Sequence, residues 1–308
     1  MDLTIIVVNR NGARVLSPCV RSIIKQTSEI EYELIVVDNA STDGSADRLA
    51  EEFPMITIVR NDRNIGFAAA NNIGMRMSKG KFVLLLNPDT EVLDGALQKT
   101  VAFMVSTPRA GIVGCKLVYP DGMLQPSVRS FPTLWNIFSE AFFIYRILPK
   151  SRLFGKYYMT YFDYGMTSEV DWASGAFLMI RRNVIDRVGE LDEQYFMYAE
   201  ELDYCYRARQ YGYSVIYFSG ACIIHHWGGV QTTNDTLIYW GQKSQILFIE
   251  KHFTGIKKYM MISVKCVGIA IRIPMYVVAA LVTLNANYLF KSLAYTRTTA
   301  KLFRQSQQ

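Results

Sequence analysis

The first third of the chain repeats one pattern: a short, wholly apolar run, a polar loop, then a stretch with helical spacing. Leu3–Val8 is apolar throughout and stops at Asn9-Arg10-Asn11-Gly12, which predicts a strand and a loop before a helix over Ala13–Gln26. Leu34–Val37 ends in the loop Asp38-Asn39-Ala40-Ser41-Thr42-Asp43-Gly44, rich in capping residues, with a helix over about Ser45–Glu52. Ile56–Val59 predicts a third strand, Phe67–Met77 a helix, and Phe82–Leu86 a fourth strand ending in Asn87-Pro88-Asp89. Strands apolar on both faces and joined by helices belong in a parallel sheet covered on both sides. The pattern therefore predicts an α/β nucleotide-binding architecture. Its ligands belong at the carboxyl ends of the strands, where these loops lie.

The second half is less regular. Gly111–Val118 reads as a strand, Asp121-Gly122 as a turn, and Trp172–Ile180 as a further strand. Glu200–Tyr211 suits a helix with Glu200, Glu201 and Asp203 in its first turn. Tyr213–Phe218 and Ala221–Ile224 are strand-like and end at His225-His226-Trp227-Gly228-Gly229. Leu134–Leu148 is rich in Trp, Phe and Ile with few charges, and no repeat, coiled coil or low-complexity tract is visible.

At 308 residues, 50% hydrophobic and 19% charged, the chain has ample material for a core, and its composition is not that of a disordered segment. The length suits one large domain or one domain with a modest appendage. A mean hydropathy of +0.10 is high for a purely soluble enzyme and low for a multi-span membrane protein. The net charge of +6 would suggest nucleic acid or anionic lipid as a partner, but it is unevenly placed. From Lys251 onward there are nine basic residues and no acidic one, leaving 24 basic against all 27 acidic residues in the remainder. The body is mildly acidic, so nucleic acid is not expected. Five scattered cysteines without a CxxC read as small core residues rather than a disulfide framework or zinc site. The N-terminus opens directly into an apolar strand, so no secretory signal is expected.

Asp38 and Asp89 each follow a buried strand, so both carboxylates are expected in one crevice, where they would bind a ribose, a base or a hard cation on phosphates. Loop capping is the plainer role for either alone. There is neither a GxxxxGK[ST] nor a GxGxxG loop, which leaves side chains and a metal to hold a diphosphate and disfavours P-loop ATPases and ordinary dehydrogenases. The acids Glu200, Glu201 and Asp203 are favoured by the helix dipole. One of them, against the apolar Phe196-Met197-Tyr198, would suit a general base. Of His225 and His226, alternation sends one inward and one outward, and the inward one would reach a metal in the crevice.

The motifs VVNRNG (7–12), VVDNASTDGS (36–45), NIGFAAANN (64–72), LLLNPD (84–89), SGAFLMIRR (174–182), YAEELDYCYRARQYGY (198–213) and HWGG (226–229) occur in one order. Together they resemble inverting family 2 glycosyltransferases, and bacterial rhamnosyltransferases in particular, over roughly residues 3–255. The resemblance implies a GT-A fold, a Rossmann-like, mostly parallel sheet flanked by helices. It would fill residues 1–255, with a nucleotide-binding half at 1–118, an acceptor half at 119–255 and a helical tail at 256–308. It implies donor contacts from Val8, Arg10, Asn11, Asp38, Gly66, Phe67, Asn72, Asn87 and Asp89. A divalent metal (Mg2+ or Mn2+) would sit at Asp89, where the family's first DxD aspartate is replaced by Asn87, and at His226. Glu201 would be the general base, one methylene longer than the family's Asp, with Glu200 beside it as the other candidate. Arg129, Trp172, Ser174 and Gly175 would border the acceptor. The Ser often found after the histidine is replaced by Val230-Gln231-Thr232. The implied reaction is transfer of L-rhamnose from dTDP-L-rhamnose to a lipid-linked or polysaccharide acceptor, with inversion. A same-fold enzyme using a UDP-hexose or UDP-N-acetylhexosamine, and a non-catalytic glycan-assembly scaffold, are the alternatives.

Met260–Leu284 is almost wholly apolar, interrupted by Lys265, Arg272 and Pro274, and the longest charge-free run is Ile273–Phe290. A crossing wants about 20 predominantly apolar residues, so a single span is compromised. Amphipathic helices at the interface, held by basic residues against anionic lipid, fit better, with Leu134–Leu148 as a second contact. The flanking positive charge favours the cytoplasmic face, as a peripheral or monotopic protein. Core or dimer-interface helices, and hence a homo-oligomer, are the other reading of the tail.

Overall fold

A computed structural model describes residues 1–226 and 234–305. In chain order its elements begin with β1 (Leu3–Asn9), α1 (Leu16–Gln26), β2 (Tyr32–Asp38), α2 (Ser45–Glu52), β3 (Thr57–Arg60), α3 (Phe67–Met77) and β4 (Phe82–Leu86). There follow β5 (Thr90–Val92), α4 (Ala96–Ser106), β6 (Ala110–Val118), β7 (Leu124–Gln125), β8 (Val128–Arg129), α5 (Leu134–Ala141) and α6 (Ile144–Ile147). The remainder is β9 (Ser168–Val170), β10 (Trp172–Ala173), β11 (Phe177–Arg181), α7 (Arg182–Val188), α8 (Glu200–Gln210), β12 (Ser214–His225), α9 (Asn234–His252), α10 (Gly255–Thr283) and α11 (Ala286–Gln305). The chain forms two units, one of Met1–Arg129, Asp163–Phe196 and Glu200–Gln231, the other of Ser130–Phe162, Met197–Ala199 and Thr232–Gln308. The second unit takes in α5, α6 and α9 together with the tail helices α10 and α11.

In the first unit the main sheet runs β3-β2-β1-β4-β11-β6-β12-β5. The four strands β3, β2, β1 and β4 are parallel, as their two-sided apolar character predicts. Every residue of β1 and β4 is buried, with Leu3, Ile5, Val7, Leu84 and Leu86 in a core continued by Phe177 and Met179 of β11. The chain leaves β1 toward β2 on one side and meets β4 on the other, which opens a crevice at their carboxyl ends.

Beyond β4 the sheet is mixed. β11 runs antiparallel to both β4 and β6, while β6 and β12 are parallel. The strand expected over Trp172–Ile180 is two: β10 pairs with β8 in a separate ribbon, and β11 enters the main sheet after the Ser174-Gly175-Ala176 break. The two strands expected over Tyr213–Ile224 are one, β12, with a register shift between Phe218 and Cys222 that absorbs the Gly220 interruption.

The second unit is helical. Ile137 of α5, Ile249 of α9 and Met261 of α10 form its core. Gly268 lets α10 approach α5, since a Cβ there would sit 2.6 Å from that of Ala141. Leu284 turns the chain in the left-handed region, and α10 and α11 fold back as a hairpin joined by Ser292 Oγ–H to the Ile273 carbonyl (3.0 Å). Tyr276 stacks on Tyr288 and Tyr295 across it. Lys265 and Arg272 are not lipid-facing cations. Both are buried, at 3.0 and 2.5 Å from the Glu140 carboxylate of α5. Burial pushes that carboxyl up, but the two cations more than reverse this and hold it below its usual range.

Candidate active site

The loops after β1 and β2 are tied into one network. Asn9 Nδ2–H donates to Asp38 Oδ1 (2.8 Å), Ser41 Oγ (3.0 Å) and Ser45 Oγ (2.8 Å), and Asp38 Oδ2 accepts the Ser41 N–H (3.1 Å). Asp38 is only 4% exposed, and both its oxygens hold the loop while keeping lone pairs for a ligand. Arg10 Nη1 donates to the carbonyls of Asn39 (2.8 Å) and Ala40 (2.7 Å), and Asn11 Oδ1 accepts the Thr42 N–H (2.8 Å). Asn11 and Ala40 have φ of 52° and 60°, so two residues with side chains hold a left-handed backbone at the mouth of the crevice. Val8 is buried in β1 directly before them.

Asn39 joins this network to the next loop and was not anticipated. Its Nδ2 donates to Asn64 Oδ1 (2.8 Å) and the Gly66 carbonyl (3.1 Å), and its Oδ1 accepts from Asn61 Nδ2 (3.2 Å) and Ile65 N–H (3.0 Å). An Asn in a capping-rich loop carries no signal that would distinguish it. Gly66, at φ 91°, is required by close approach: a Cβ would lie 2.6 Å from the Phe196 carbonyl oxygen, which accepts the Phe67 N–H at 2.7 Å. Asn72, expected among the contacts to the nucleotide-sugar, is bonded within the protein. Its amide is buried, donates to the Leu191 carbonyl (2.9 Å) and Glu193 Oε1 (3.0 Å), and accepts the Leu191 N–H (3.0 Å).

On the other side of the crevice, the Asn87 N–H donates to the Ala176 carbonyl (3.1 Å) and Asp89 is 6% exposed. Pairing of β5 with β12 sets His225 opposite Thr90, and the His225 imidazole faces Asp89, with Nε2 3.3 Å from Oδ1. Asn87 Nδ2 lies 3.5 Å from the same nitrogen. On the far side Gln125 Oε1 is 2.7 Å from Nδ1. Gln125 Oε1 can only accept, so it suits the tautomer with the proton on Nδ1, which turns the Nε2 lone pair toward Asp89. The His226 N–H donates to the Asp89 carbonyl (2.8 Å) but its ring turns the other way, with Nε2 2.6 Å from Glu91 Oε1, so the ring that faces the Asp89 carboxylate is that of His225, where His226 was expected. Strand alternation is the cause. Gln125 was not foreseen either: in β7 it is buried while Leu124 is exposed, the reverse of what hydrophobicity suggests. The motif residues Trp227-Gly228-Gly229 and Val230-Gln231-Thr232 lie outside the described residues.

The three acids of α8 have three fates. Asp203 is fully buried and ion-paired with Arg207 (2.7 Å), whose remaining N–H groups bond the Val188 and Glu190 carbonyls. Glu200 is 5% exposed, and its Oε2 has no hydrogen-bond partner among the described residues. Burial pushes its carboxyl well above the usual range, and the Glu201 charge adds to this. Glu201 is half-buried and lies alongside Gly175, where a Cβ would sit 3.8 Å from the Glu201 Cβ and Cδ. The residues before α8, Tyr198 and Ala199, have φ of 68° and 64°, a strained entry to the acidic turn. Arg129 and Trp172 are paired across β8 and β10, and the Ser174 N–H donates to the Ser127 carbonyl (2.8 Å), so Arg129, Trp172, Ser174 and Gly175 share one ribbon and its exit loop.

Comparison with known proteins accords with this layout. The model described as Glycosyl transferase family 2 matches residues 4–189, more than half of the chain. Over 224 residues the chain is 28% identical to N-acetylglucosaminyl-diphospho-decaprenol L-rhamnosyltransferase of Mycobacterium tuberculosis, covering 65% of this chain and 68% of that one. Over 171 residues it is 29% identical to rhamnosyltransferase WbbL of Escherichia coli, covering 52% and 61%. Among solved structures, the mannosyltransferase PcManGT from Pyrobaculum calidifontis in complex with GDP-Man and Mn2+ superposes with a TM-score of 0.57 at 17% identity, over 97% of this chain and 85% of that one. At that identity the likeness is one of fold, and it makes this fold GT-A-like. With the family match spanning the strand-end loops of β1, β2 and β4 and the β8–β10 ribbon, the chain belongs to glycosyl transferase family 2.

Proposed function

We propose that this glycosyltransferase moves L-rhamnose from dTDP-L-rhamnose to a hydroxyl of a lipid-linked or polysaccharide acceptor, with inversion, at the cytoplasmic face of a membrane. The observation that carries the reading is the division of labour among acids: Asp89 faces an imidazole, while Glu201 alone among the acids of its turn is partly exposed, beside the Gly175 loop and with its Oε2 enclosed. The relatives named as rhamnosyltransferases, one acting on a decaprenol-linked substrate, support the donor and acceptor classes.

Asp89 and His225 fit a divalent metal, since a carboxylate and an imidazole nitrogen oriented by Gln125 suit Mn2+ and similar ions. Such an ion, when bound, neutralises charge on a diphosphate leaving group. The loops around Asp38 and Asn39 bind the nucleoside. Glu201 takes the proton of the acceptor hydroxyl as its oxygen attacks the anomeric carbon from the face opposite the diphosphate. The C–O bond to the diphosphate breaks in the same displacement, and the nucleoside diphosphate departs.

A thermal-shift panel of dTDP, UDP, GDP and their sugars, with and without Mn2+, tests the reading. A specific nucleotide at 100 times its Kd stabilises by about 2.7 kcal/mol. We expect dTDP and dTDP-L-rhamnose with Mn2+ to raise Tm most, His225→Ala to lose the Mn2+-dependent part, and His226→Ala to keep it. Stabilisation by UDP-sugars alone would overturn the donor assignment. No stabilisation and no transfer with any donor would leave a scaffold.

A further inference from the structure

From Tyr259 to Phe290 the chain carries two charged side chains, Lys265 and Arg272, and both are buried against Glu140. Every exposed residue of this hairpin segment is therefore uncharged, whereas a soluble surface is roughly a quarter to a third charged. Along α10, Ile256, Met260, Ser263, Val267, Ala270, Pro274, Val277 and Leu281 are all exposed. Their spacing of three and four residues places them on one face along the whole helix. Toward the turn the apolar surface widens: Val278, Val282, Leu284, Leu289, Phe290 and Leu293 are exposed as well. The opposite face of α10 is committed, through Met261 and Gly268, to α5 and α9.

We infer that α10 beds lengthwise into a single lipid leaflet with this stripe downward and the α10–α11 turn deepest, and does not cross the bilayer. The inference rests on the membrane placement proposed above and names the surface that makes it. α10 is 29 residues long with a mean hydropathy of 2.0 over its most apolar window, which by length and composition alone would pass for a span. A span presents lipid on all sides or packs on other spans. Here one side of the helix is occupied by a buried carboxylate with two cations, and hydrocarbon on that side would have to surround the whole triad. An in-plane helix needs only its apolar face submerged, by about 5–10 Å. A second copy of the chain is the competing occupant. A two-helix seam is normally flanked by charged residues that set register, and the positions beside this stripe, Met275, Val278 and Val282 among them, are apolar. The turn satisfies part of its own backbone, with Asn287 N–H on Asn285 Oδ1 (3.0 Å) and Tyr288 N–H on the Asn285 carbonyl (3.2 Å). Attachment is then expected to draw mainly on the apolar stripe, since Lys265 and Arg272 are spent on Glu140 and Arg297 pairs with Asp235, while Lys257, Lys258 and Lys291 flank the stripe at its ends.

The test is flotation of the full chain with sealed vesicles of phosphatidylcholine and phosphatidylglycerol (7:3), at low salt and in 0.5 M NaCl. The wild type is expected to float at both. Leu281→Asp/Leu284→Asp, at side chains 70% and 91% exposed, and Ile256→Asp, at 79%, disturb no packing and are expected to lower the floated fraction at least tenfold and severalfold. Protease added outside the vesicles should remove tags at both termini. Release of the wild type by salt, unchanged flotation of the aspartate variants, or loss confined to the turn pair would each overturn the inference. So would protection of the C-terminal tag, or a stable dimer that does not float. Nucleotide stabilisation in solution, measured on the same variants, reports on the sugar chemistry separately.

Discussion

Glu201→Gln keeps the volume of the side chain and removes its basicity. Loss of a general base costs about 10²–10⁴ in rate, about 3–5 kcal/mol of transition-state stabilisation. Glu200→Gln is the informative partner. Glu200 is 5% exposed and its carboxyl is pushed up first by burial and then by the Glu201 charge, so it is held toward its neutral form, of which glutamine is a near replica. A neutral hydrogen bond is worth about 0.5–1.5 kcal/mol, so Glu200→Gln should lower kcat by less than about tenfold. The assay is the initial rate of acceptor-dependent nucleoside diphosphate release, with donor affinity measured by calorimetry and expected to be unchanged in both variants. Stability supplies an independent check. An acid whose folded-state pKa is raised loses its contribution as pH rises through that value, so the Tm of Glu200→Gln should gain on the wild type toward alkaline pH. A Glu201→Gln enzyme retaining more than a tenth of the wild-type rate, or a Glu200→Gln enzyme as impaired as Glu201→Gln, would refute the assignment.

Two further outcomes follow from packing. Glu140→Ala leaves Lys265 and Arg272 buried without their carboxylate, and loss of one partner from a buried pair costs about 3–5 kcal/mol, readable by thermal or urea unfolding. Because the cations depress the Glu140 pKa, its contribution is full above the ordinary carboxyl value of 4.5. It is lost as pH falls through the lower folded-state value, so wild type and variant should converge in acid. Gly66→Ala forces a Cβ to 2.6 Å from the Phe196 carbonyl oxygen at φ 91°. It should cost about 1–3 kcal/mol and weaken nucleotide affinity, because the Asn39–Gly66 hydrogen bond ties that strain to the donor loop.

The apolar runs of β1 and β4 and the helix over Phe67–Met77 were legible because burial on both faces, or on one helical stripe, leaves a local and continuous mark on composition. Strand direction leaves none: β11 looks the same whether it runs with β4 or against it. The choice between His225 and His226 likewise depends on one residue of register against β5, and the selection of Gln125 as the imidazole's partner on a contact a hundred positions away.

The acidic turn and the tail divide in the same way. Sequence alone determined that acids stand at the start of α8, that the loops after β1, β2 and β4 carry the polar chemistry, and that the tail is apolar and free of acidic residues. Only the tertiary structure decided that Asp203 is paired with Arg207, that Glu200 is enclosed, and that Glu201 lies along Gly175. The same holds for the two central cations of the tail, which turn inward to Glu140 and leave the surface of Tyr259–Phe290 uncharged. The reason is physical: periodicity and composition record how much of an element is buried, whereas the state of a carboxylate or an ammonium is set by the few atoms around it. Those atoms come from segments far away in the chain.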